Sequence, residues 1–521
     1  MQDPDEVKGS WRSIAMIGLL AGAVVSALYG LTAHLHLDLF DEGFLWYGVL
    51  RTAAGEVPGL DFQAYDPARY YWGAAWSFLL GDGILALRLS TAIFQALGLF
   101  AGLLAARRIV TRPYLLVPVA LVLGAWMFPR HKLFEPSLAL MAILLATRML
   151  ERPSRRRCLV AGAFVGIAAV FGRNHGVYCG AGFLLAILIQ HRKQPDGRLT
   201  EKLRMLAGGV LLGYSPMFLM LAFVPGFATH VAESLLRLTE RGTNLPLPIP
   251  WPWTLPYASL QGSHLAAELT VAITYLVLAL AYPLGLIWAF ITRSIAARGR
   301  AVLVACVCLG IPYAHHACVR AAPGHLAGGI QPLLLGLFAL PCALGLQRRR
   351  LATWLIWSTL CLGAAIVAWG VHPELSAFGR HSNVPLADVN VAGDRLAVPA
   401  YQAPVLTGIK RAVKRHVPPD AAIFMAPFRV SYYPHLRRVA PLWDIYMLWS
   451  ATDEYQDQMI RDLETKHVDW ALIIAEALAE DPNTAFARTH PKVNAYLARE
   501  FDKIQDPQIP IGHYLMHRRS K

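Results

Sequence analysis

The chain has 521 residues, 55% of them hydrophobic and only 16% charged, with a mean hydropathy of +0.41. A soluble protein would carry about 25% charge, so an ordinary soluble enzyme is excluded and the chain falls in the membrane class. The net charge of +14 has the sign of a nucleic-acid binder but not its distribution: residues 371–521 hold 18 Lys and Arg against 17 Asp and Glu, and the excess lies in short basic clusters between apolar runs. That pattern orients a membrane protein; it is not a nucleic-acid footprint.

The first apolar run, from Ile14 to about Ala33, exceeds the roughly 7–15 residues of a signal-peptide core and reads as a retained first helix. Further runs near the about 17–25 residues needed to span a bilayer lie at 84–106, 113–129, 133–150, 158–172, 176–190, 204–225, 265–292, 301–317, 328–346 and 351–370. About eleven spans result. The pairs 113–129/133–150 and 158–172/176–190 are split only by short polar breaks and read as helical hairpins. Cys158, Cys179, Cys306, Cys308, Cys318, Cys342 and Cys361 all lie in or beside these runs. They read as small buried membrane residues, and they form no metal-like spacing with histidine.

Basic residues set the orientation. One set of segments, which includes Lys8 and Arg12, Arg107 to Arg112, Arg148 to Arg157, Arg192 to Arg204, Arg293 to Arg300 and Arg348 to Arg350, holds 21 Lys and Arg; the opposite set holds nine. The first set is therefore expected in the cytoplasm, with the N-terminus, and residues 371–521 outside, in a bacterial inner membrane with the C-terminal part in the periplasm. Long loops at 35–83 and 226–264 then lie outside too. The second contains an amphipathic stretch, Ala228 to Arg241, and a Pro/Trp-rich run, Leu245 to Pro256, which suit a helix on the membrane surface followed by extended chain.

The C-terminal region changes character. Gln402 to His416, Asp453 to His467 and Thr489 to Phe501 read as helices, and Ala421 to Pro427 and Trp470 to Ala475 as strands. The expected fold class is thus a polytopic α-helical membrane domain, residues 1–370, followed by a soluble extracytoplasmic α/β domain, residues 371–521.

Conspicuous ionisable groups of the membrane part gather on the outer side: Asp41-Glu42 after the first helix, Arg130-His131-Lys132 and Glu135, Arg173 and His175, and His315-His316 with Arg320 and His325. Such groups near hydrocarbon are costly and usually functional, so these breaks predict one polar cavity at the outer surface. Carboxylates suit general-base work or a divalent ion, which Asp41, Glu42 and Glu135 are candidates to hold. Arginine and lysine suit a phosphate. Together they describe a site that holds a phosphate-bearing lipid and activates an acceptor. Each residue also has a plain structural reading. Asp41-Glu42 can be a solvated pair and Glu135 a helix-start acid; Arg130 and Lys132 can snorkel; Arg173 and His175 can be turn residues; His315 and His316 can be packing residues.

The segments Asp66-Pro67-Ala68-Arg69-Tyr70-Tyr71-Trp72, Phe78-Leu79-Leu80-Gly81 and Ala86-Leu87-Arg88-Leu89-Ser90-Thr91-Ala92, with Asp41-Glu42 and Lys132 to Leu138, resemble elements of the GT-C glycosyltransferases. The branch they resemble holds the protein mannosyltransferases and aminoarabinose transferases. The resemblance covers roughly residues 14–190. Glu135 stands where that branch usually has Asp, Arg173 where many relatives have Lys, and Leu89-Ser90 lacks the usual Pro. The resemblance implies an inverting transferase that moves a sugar from a polyprenyl-phosphate donor to a lipid, glycan or protein acceptor. Asp41 is then the catalytic base, Glu42 and Glu135 supporting acids, and Arg69, Arg130, Lys132, Arg173, Arg320 and His325 ligands of the donor phosphate. Tyr70, Tyr71 and His175 take acceptor or supporting roles, and the C-terminal domain is expected to bind the acceptor or cover the cavity without a catalytic group. Expected partners are the lipid donor and membrane lipids, with no nucleic acid. Two other classes stay open: an O-antigen ligase or polymerase, which does not require the acidic pair after the first helix, and a lipid-linked sugar transporter, which should show broken helices with polar residues at the bilayer midplane.

Overall fold

The computed structural model describes residues 11–110, 112–241, 246–292, 294–297, 299–346, 350–478 and 481–519, and of 235–241 the backbone alone. Lys8, Leu245, Arg293, Arg298, Arg348 and Arg349 therefore lie outside the described residues, as do the side chains of Arg237 and Arg241.

The protein is mostly helical. Among the described residues six helices are long and apolar enough to cross a membrane: Trp11–Thr32, Ile84–Ala106, Arg130–Glu151, Gly262–Ile291, Arg300–Val319 and Arg350–Gly370. Two bent pairs, Leu199–Gly213 with Ser215–Phe223 and Pro323–Gly329 with Gln331–Ala343, raise the number to eight. The chain is an integral membrane protein. The bends, 48° and 54°, fall where Pro216 and Pro332 open the second helix of each pair, since proline lacks the N–H that would continue the first. The other three apolar runs are also helical. Run 113–129 is a short helix ending at Ala125. Runs 158–172 and 176–190 are the helices Arg155–Phe171 and Arg173–Lys193, parted only by Gly172; clustered basic residues at one end of each dilute their apolar character.

The chain divides into two compact units. The first comprises Met1–Ala33, Thr91–Ala228 and Gly242–Asn383. Small residues let its helices approach closely: a Cβ on Gly213 would stand 1.9 Å from the Ala163 carbonyl oxygen, and one on Gly162 2.0 Å from that of Leu206. Helices Arg155–Phe171 and Leu199–Gly213 thus meet backbone to backbone, as apolar helices in lipid do when dispersion rather than hydrophobicity holds them.

The second unit comprises His34–Ser90, Thr229–Arg241 and Val384–Lys521. Its strands are β1 (Leu386–Val391), β2 (Asp394–Pro399), β3 (Ile423–Ala426), β4 (Trp470–Ile474), β5 (Phe501–Lys503) and β6 (His513–Arg518). β1 and β2 form an antiparallel hairpin, and the others a sheet of order β3-β4-β6-β5 with only β3 and β4 parallel. Helices Gln402–His416, Asp453–Thr465 and Pro491–Glu500 accompany them. Phe424, Leu463, Val468, Ala471, Val493 and Leu497 belong to one buried core. The expected helices and strands of this region are found within a few residues. Strands β1, β2, β5 and β6 were not foreseen: β1, β5 and β6 alternate or are mostly exposed, and the apolar stretch of β2 is only Leu396 to Pro399.

Helices Asp41–Ala53 and Ala68–Leu80 belong to this same unit. Gly43 sits so close to Ser431 that a Cβ would stand 2.3 Å from its backbone nitrogen. Ser431 N–H donates to the Leu39 carbonyl (3.1 Å) and its hydroxyl to the Asp38 carbonyl (2.9 Å). The loop that presents Asp41 and Glu42 is thus held by the C-terminal segment.

Candidate active-site residues

In the second unit, Asp41 and Glu42 open the helix Asp41–Ala53, where carboxylates meet the positive end of the helix dipole. Successive helical residues point about 100° apart, and the two acids have different surroundings. Glu42 is buried against Arg88 in a two-pronged pair: Nε donates to Oε1 and Nη2 to Oε2, each at 2.8 Å, with both side chains no more than 2% exposed. Arg88 Nη2 also donates to the His36 carbonyl at 2.8 Å. Such a forked, charge-assisted geometry is what a buried ion pair needs to offset desolvation.

Asp41 is only half-buried. Its Oδ1 accepts from the Tyr446 hydroxyl at 2.9 Å. Burial, then the Asp41 charge, hold the Tyr446 phenol well above the ordinary tyrosine range, so it acts as a donor. The Tyr446 backbone is fixed by Gln63 Oε1 (2.8 Å), and its ring lies edge-on to Phe44 with centroids 5.6 Å apart. The Phe44 ring also meets Tyr65, over which the buried Arg69 guanidinium sits at 5.1 Å. Tyr70 is fully buried; its hydroxyl accepts from Tyr65 N–H at 2.9 Å and its ring packs on Phe62. Tyr71, on the other face of that helix, is exposed.

The first unit holds a second cluster. Buried Glu135, in the first turn of Phe134–Glu151, pairs with His316 Nε2 at 3.0 Å. His316 stacks on His325 (5.3 Å, 28°) and lies 5.6 Å from His175. His175 Nδ1 is 3.3 Å from the Tyr313 hydroxyl, and Tyr178 bonds His315 Nδ1 at 3.0 Å. Lys132, Arg320, His316 and Glu135 all act electrostatically on His325, whose Nδ1 is buried without a hydrogen-bond partner. Gly328 keeps the cluster open: a Cβ there would lie 2.7 Å from Glu135 Oε2 and 2.9 Å from His316 Nε2. Arg130 is engaged differently. Its Nη1 donates to the Thr32 carbonyl at 2.8 Å, and its Nε faces Glu374 Oε1 at 3.1 Å; Glu374 in turn meets His372 at 3.2 Å. Arg173 is half-buried at the start of its helix.

The structure therefore gathers Lys132, Glu135, His175, Arg320 and His325 in the first unit, and Asp41, Glu42, Arg69 and Tyr70 in the second. Among the described residues no three His, Cys, Asp or Glu side chains are grouped to hold a metal ion, and Glu42 already has both oxygens on Arg88. Sequence reasoning missed three partners. His316, placed in the outer polar group with packing as its alternative but given no role, pairs with Glu135. Arg88 was read only as part of a motif, although a basic residue in an apolar helix near an acidic pair is a usable signal. Tyr446 had no signal at all, being one tyrosine among 19. Residues 371–521, expected to bind the acceptor or cover the cavity without a catalytic group, place the Tyr446 hydroxyl on Asp41.

No family model matches the sequence, and a comparison with curated proteins finds no match. Solved structures do match. ArnT from Cupriavidus metallidurans bound to undecaprenyl phosphate superposes with a TM-score of 0.54 at 14% identity, covering 96% of this chain and 97% of that one. Its apo state gives 0.52 at the same identity and coverage. AglB from Archaeoglobus fulgidus, in complex with an inhibitory peptide and a dolichol-phosphate, matches more distantly, at 0.48 and 11% identity over 97% of this chain and 74% of its own. With nearly all of both chains aligned, this chain shares the fold of that ArnT.

Proposed function

We propose that the chain is an inverting glycosyltransferase that moves a sugar from a polyprenyl-phosphate donor to a lipid, glycan or protein acceptor at the outer face of a bacterial inner membrane. The observation that carries this reading is the division of labour in the Asp-Glu pair: Glu42 is sealed against Arg88, while half-buried Asp41 is held in place by a phenol. The GT-C fold, shared with an ArnT that binds undecaprenyl phosphate, supports the donor class.

The chemistry follows from the assigned roles. Asp41 takes the proton of an acceptor hydroxyl as its oxygen attacks the anomeric carbon. The bond from that carbon to the phosphate oxygen breaks, and polyprenyl phosphate leaves with the electron pair. Attack opposite the leaving group inverts the anomeric centre. Lys132, Arg320 and His325, together with Arg173, are proposed to bind the donor phosphate, because cations in a partly dry site stabilise a phosphate far more than they do in water. Glu135 orients His316 and, through it, the histidine stack. Arg130, already paired with Glu374, is assigned a structural part.

About eleven spans, an N-terminus in the cytoplasm and residues 371–521 outside complete the reading, on the strength of the apolar runs and the basic-residue count. A reporter active only outside the cytoplasm, fused after Arg380, is expected to be active; cytoplasmic activity there would turn every proposed site residue to the wrong side. The transporter reading draws on the two bent helix pairs, but residues 209–218 around the first bend contain no acidic or basic residue, unlike a transport site, and His325 of the second pair belongs to the cluster assigned here to the donor phosphate.

Donor binding is tested with undecaprenyl phosphate itself. Lys132→Ala and Arg320→Ala are expected to weaken its affinity about tenfold each, as the loss of a charge-assisted hydrogen bond does. Arg320→Lys is expected to restore little, because ammonium does not reproduce the guanidinium fork. Unchanged affinity in alanine variants of Lys132, Arg173, Arg320 and His325 alike would overturn the phosphate assignment.

A further inference from the structure

We propose that Tyr446 is a positioning residue for Asp41, so that the C-terminal segment builds the catalytic base rather than merely covering it; this rests on the reading of Asp41 as the base. A general base must lie within about 2.6–3.2 Å of the proton it removes, and an aspartate at a helix start has rotamers that would carry its oxygens away. The Tyr446 hydroxyl fixes one oxygen, Oδ1, at 2.9 Å, which orients the other.

The phenol is itself constrained from several directions. Gln63 Oε1 accepts from both Ile445 N–H (3.0 Å) and Tyr446 N–H (2.8 Å), and Gln63 N–H donates to the Trp443 carbonyl (2.9 Å). Trp443 Nε1 donates to the Gly59 carbonyl at 2.9 Å. The Tyr446 ring packs between Phe44 (5.6 Å) and Phe428 (6.3 Å), and Asp444 Oδ1 caps its backbone at 3.3 Å. Residues 443–446 thus follow the loop 59–63 as one piece and deliver a single hydroxyl to one carboxylate. Tyr65 and Asp38 are further groups whose charge bears on that hydroxyl. A surface tether would not need a half-buried phenol aimed at the one half-exposed acid of the pair.

The test is a double-mutant cycle on the full-length protein in lipid nanodiscs, following release of undecaprenyl phosphate from an undecaprenyl-phosphate-linked sugar that it turns over. Tyr446→Phe removes one oxygen and leaves every ring contact, so the fold and melting temperature are expected to stay unchanged. Turnover, kcat, is expected to fall about tenfold with KM for the donor unchanged. In an Asp41→Asn background the same substitution is expected to have no further effect, because the carboxylate it serves is gone. Wild-type kcat in Tyr446→Phe, or the same tenfold loss with and without Asp41, would overturn the inference. If instead Asp41→Asn alone turns over normally, the base assignment itself fails and this inference with it. An inactive Asp41→Asn beside a fully active Tyr446→Phe removes only this inference.

Discussion

Asp41→Asn is expected to bind undecaprenyl phosphate as the wild type does and to turn over about 10²–10⁴-fold more slowly, the usual cost of losing a general base. Asparagine keeps the size of the side chain and an oxygen that still accepts from Tyr446, so the local structure has no reason to change. What disappears is the capacity to take a proton. Donor affinity and turnover must be measured together, since only their separation distinguishes lost chemistry from lost binding. Glu135 is the natural control. It is buried and paired with His316, so Glu135→Gln is expected to disturb the histidine cluster and donor affinity first. If Asp41→Asn kept near wild-type turnover while Glu135→Gln were inactive, the base would be Glu135.

The second large effect is on stability. Arg88→Ala leaves the Glu42 carboxylate buried beside backbone groups with its main counter-charge gone. Breaking one side of a buried ion pair typically costs about 3–5 kcal/mol, enough to remove much of the stability of a protein domain. Thermal unfolding of the purified variant is expected at a clearly lower temperature, with loss of folded protein on expression. Glu42→Gln is expected to be milder, because the amide oxygen still accepts from the guanidinium, and its turnover is expected to stay well above that of Asp41→Asn. Replacing both partners with apolar residues of similar volume, Glu42→Leu with Arg88→Met, is expected to recover a large part of the lost stability, since neither charge is then left unpaired. A double variant no more stable than Arg88→Ala would mean that the pair does something other than neutralise a buried charge. These outcomes separate the two acids of the pair: one matters for folding, the other for chemistry.

Much of this was legible in the sequence, for definite reasons. Long apolar runs announce spanning helices through bulk composition, and an acidic pair directly after the first run stands out because charge is costly there. Helix Gln402–His416 was legible end to end, since its apolar residues keep a helical period and its basic residues gather at the C-terminal turn. The bends at Tyr214 and Ile330 were less visible: the apolar runs continue through them, and only Pro216 and Pro332 mark the break. Partnership across the chain was not legible at all. Glu42 and Arg88 are 46 residues apart, Glu135 and His316 are 181 apart, and Asp41 and Tyr446 are 405 apart. Nothing local in 443–446 distinguishes a tyrosine that fills the core from one that holds a carboxylate. The same limit applies to His316, which sits in a helix whose apolar period is that of an ordinary packed span.

The measurement that bears most directly on the proposed transferase uses purified full-length protein and a panel of polyprenyl-phosphate sugars, with release of polyprenyl phosphate as the readout. At least one sugar is expected to be released by the wild type, with inverted configuration at its anomeric carbon, and release is expected to fall at least about a hundredfold in Asp41→Asn. No release from any sugar of the panel by protein that binds undecaprenyl phosphate, or equal release by wild type and Asp41→Asn, would contradict the account.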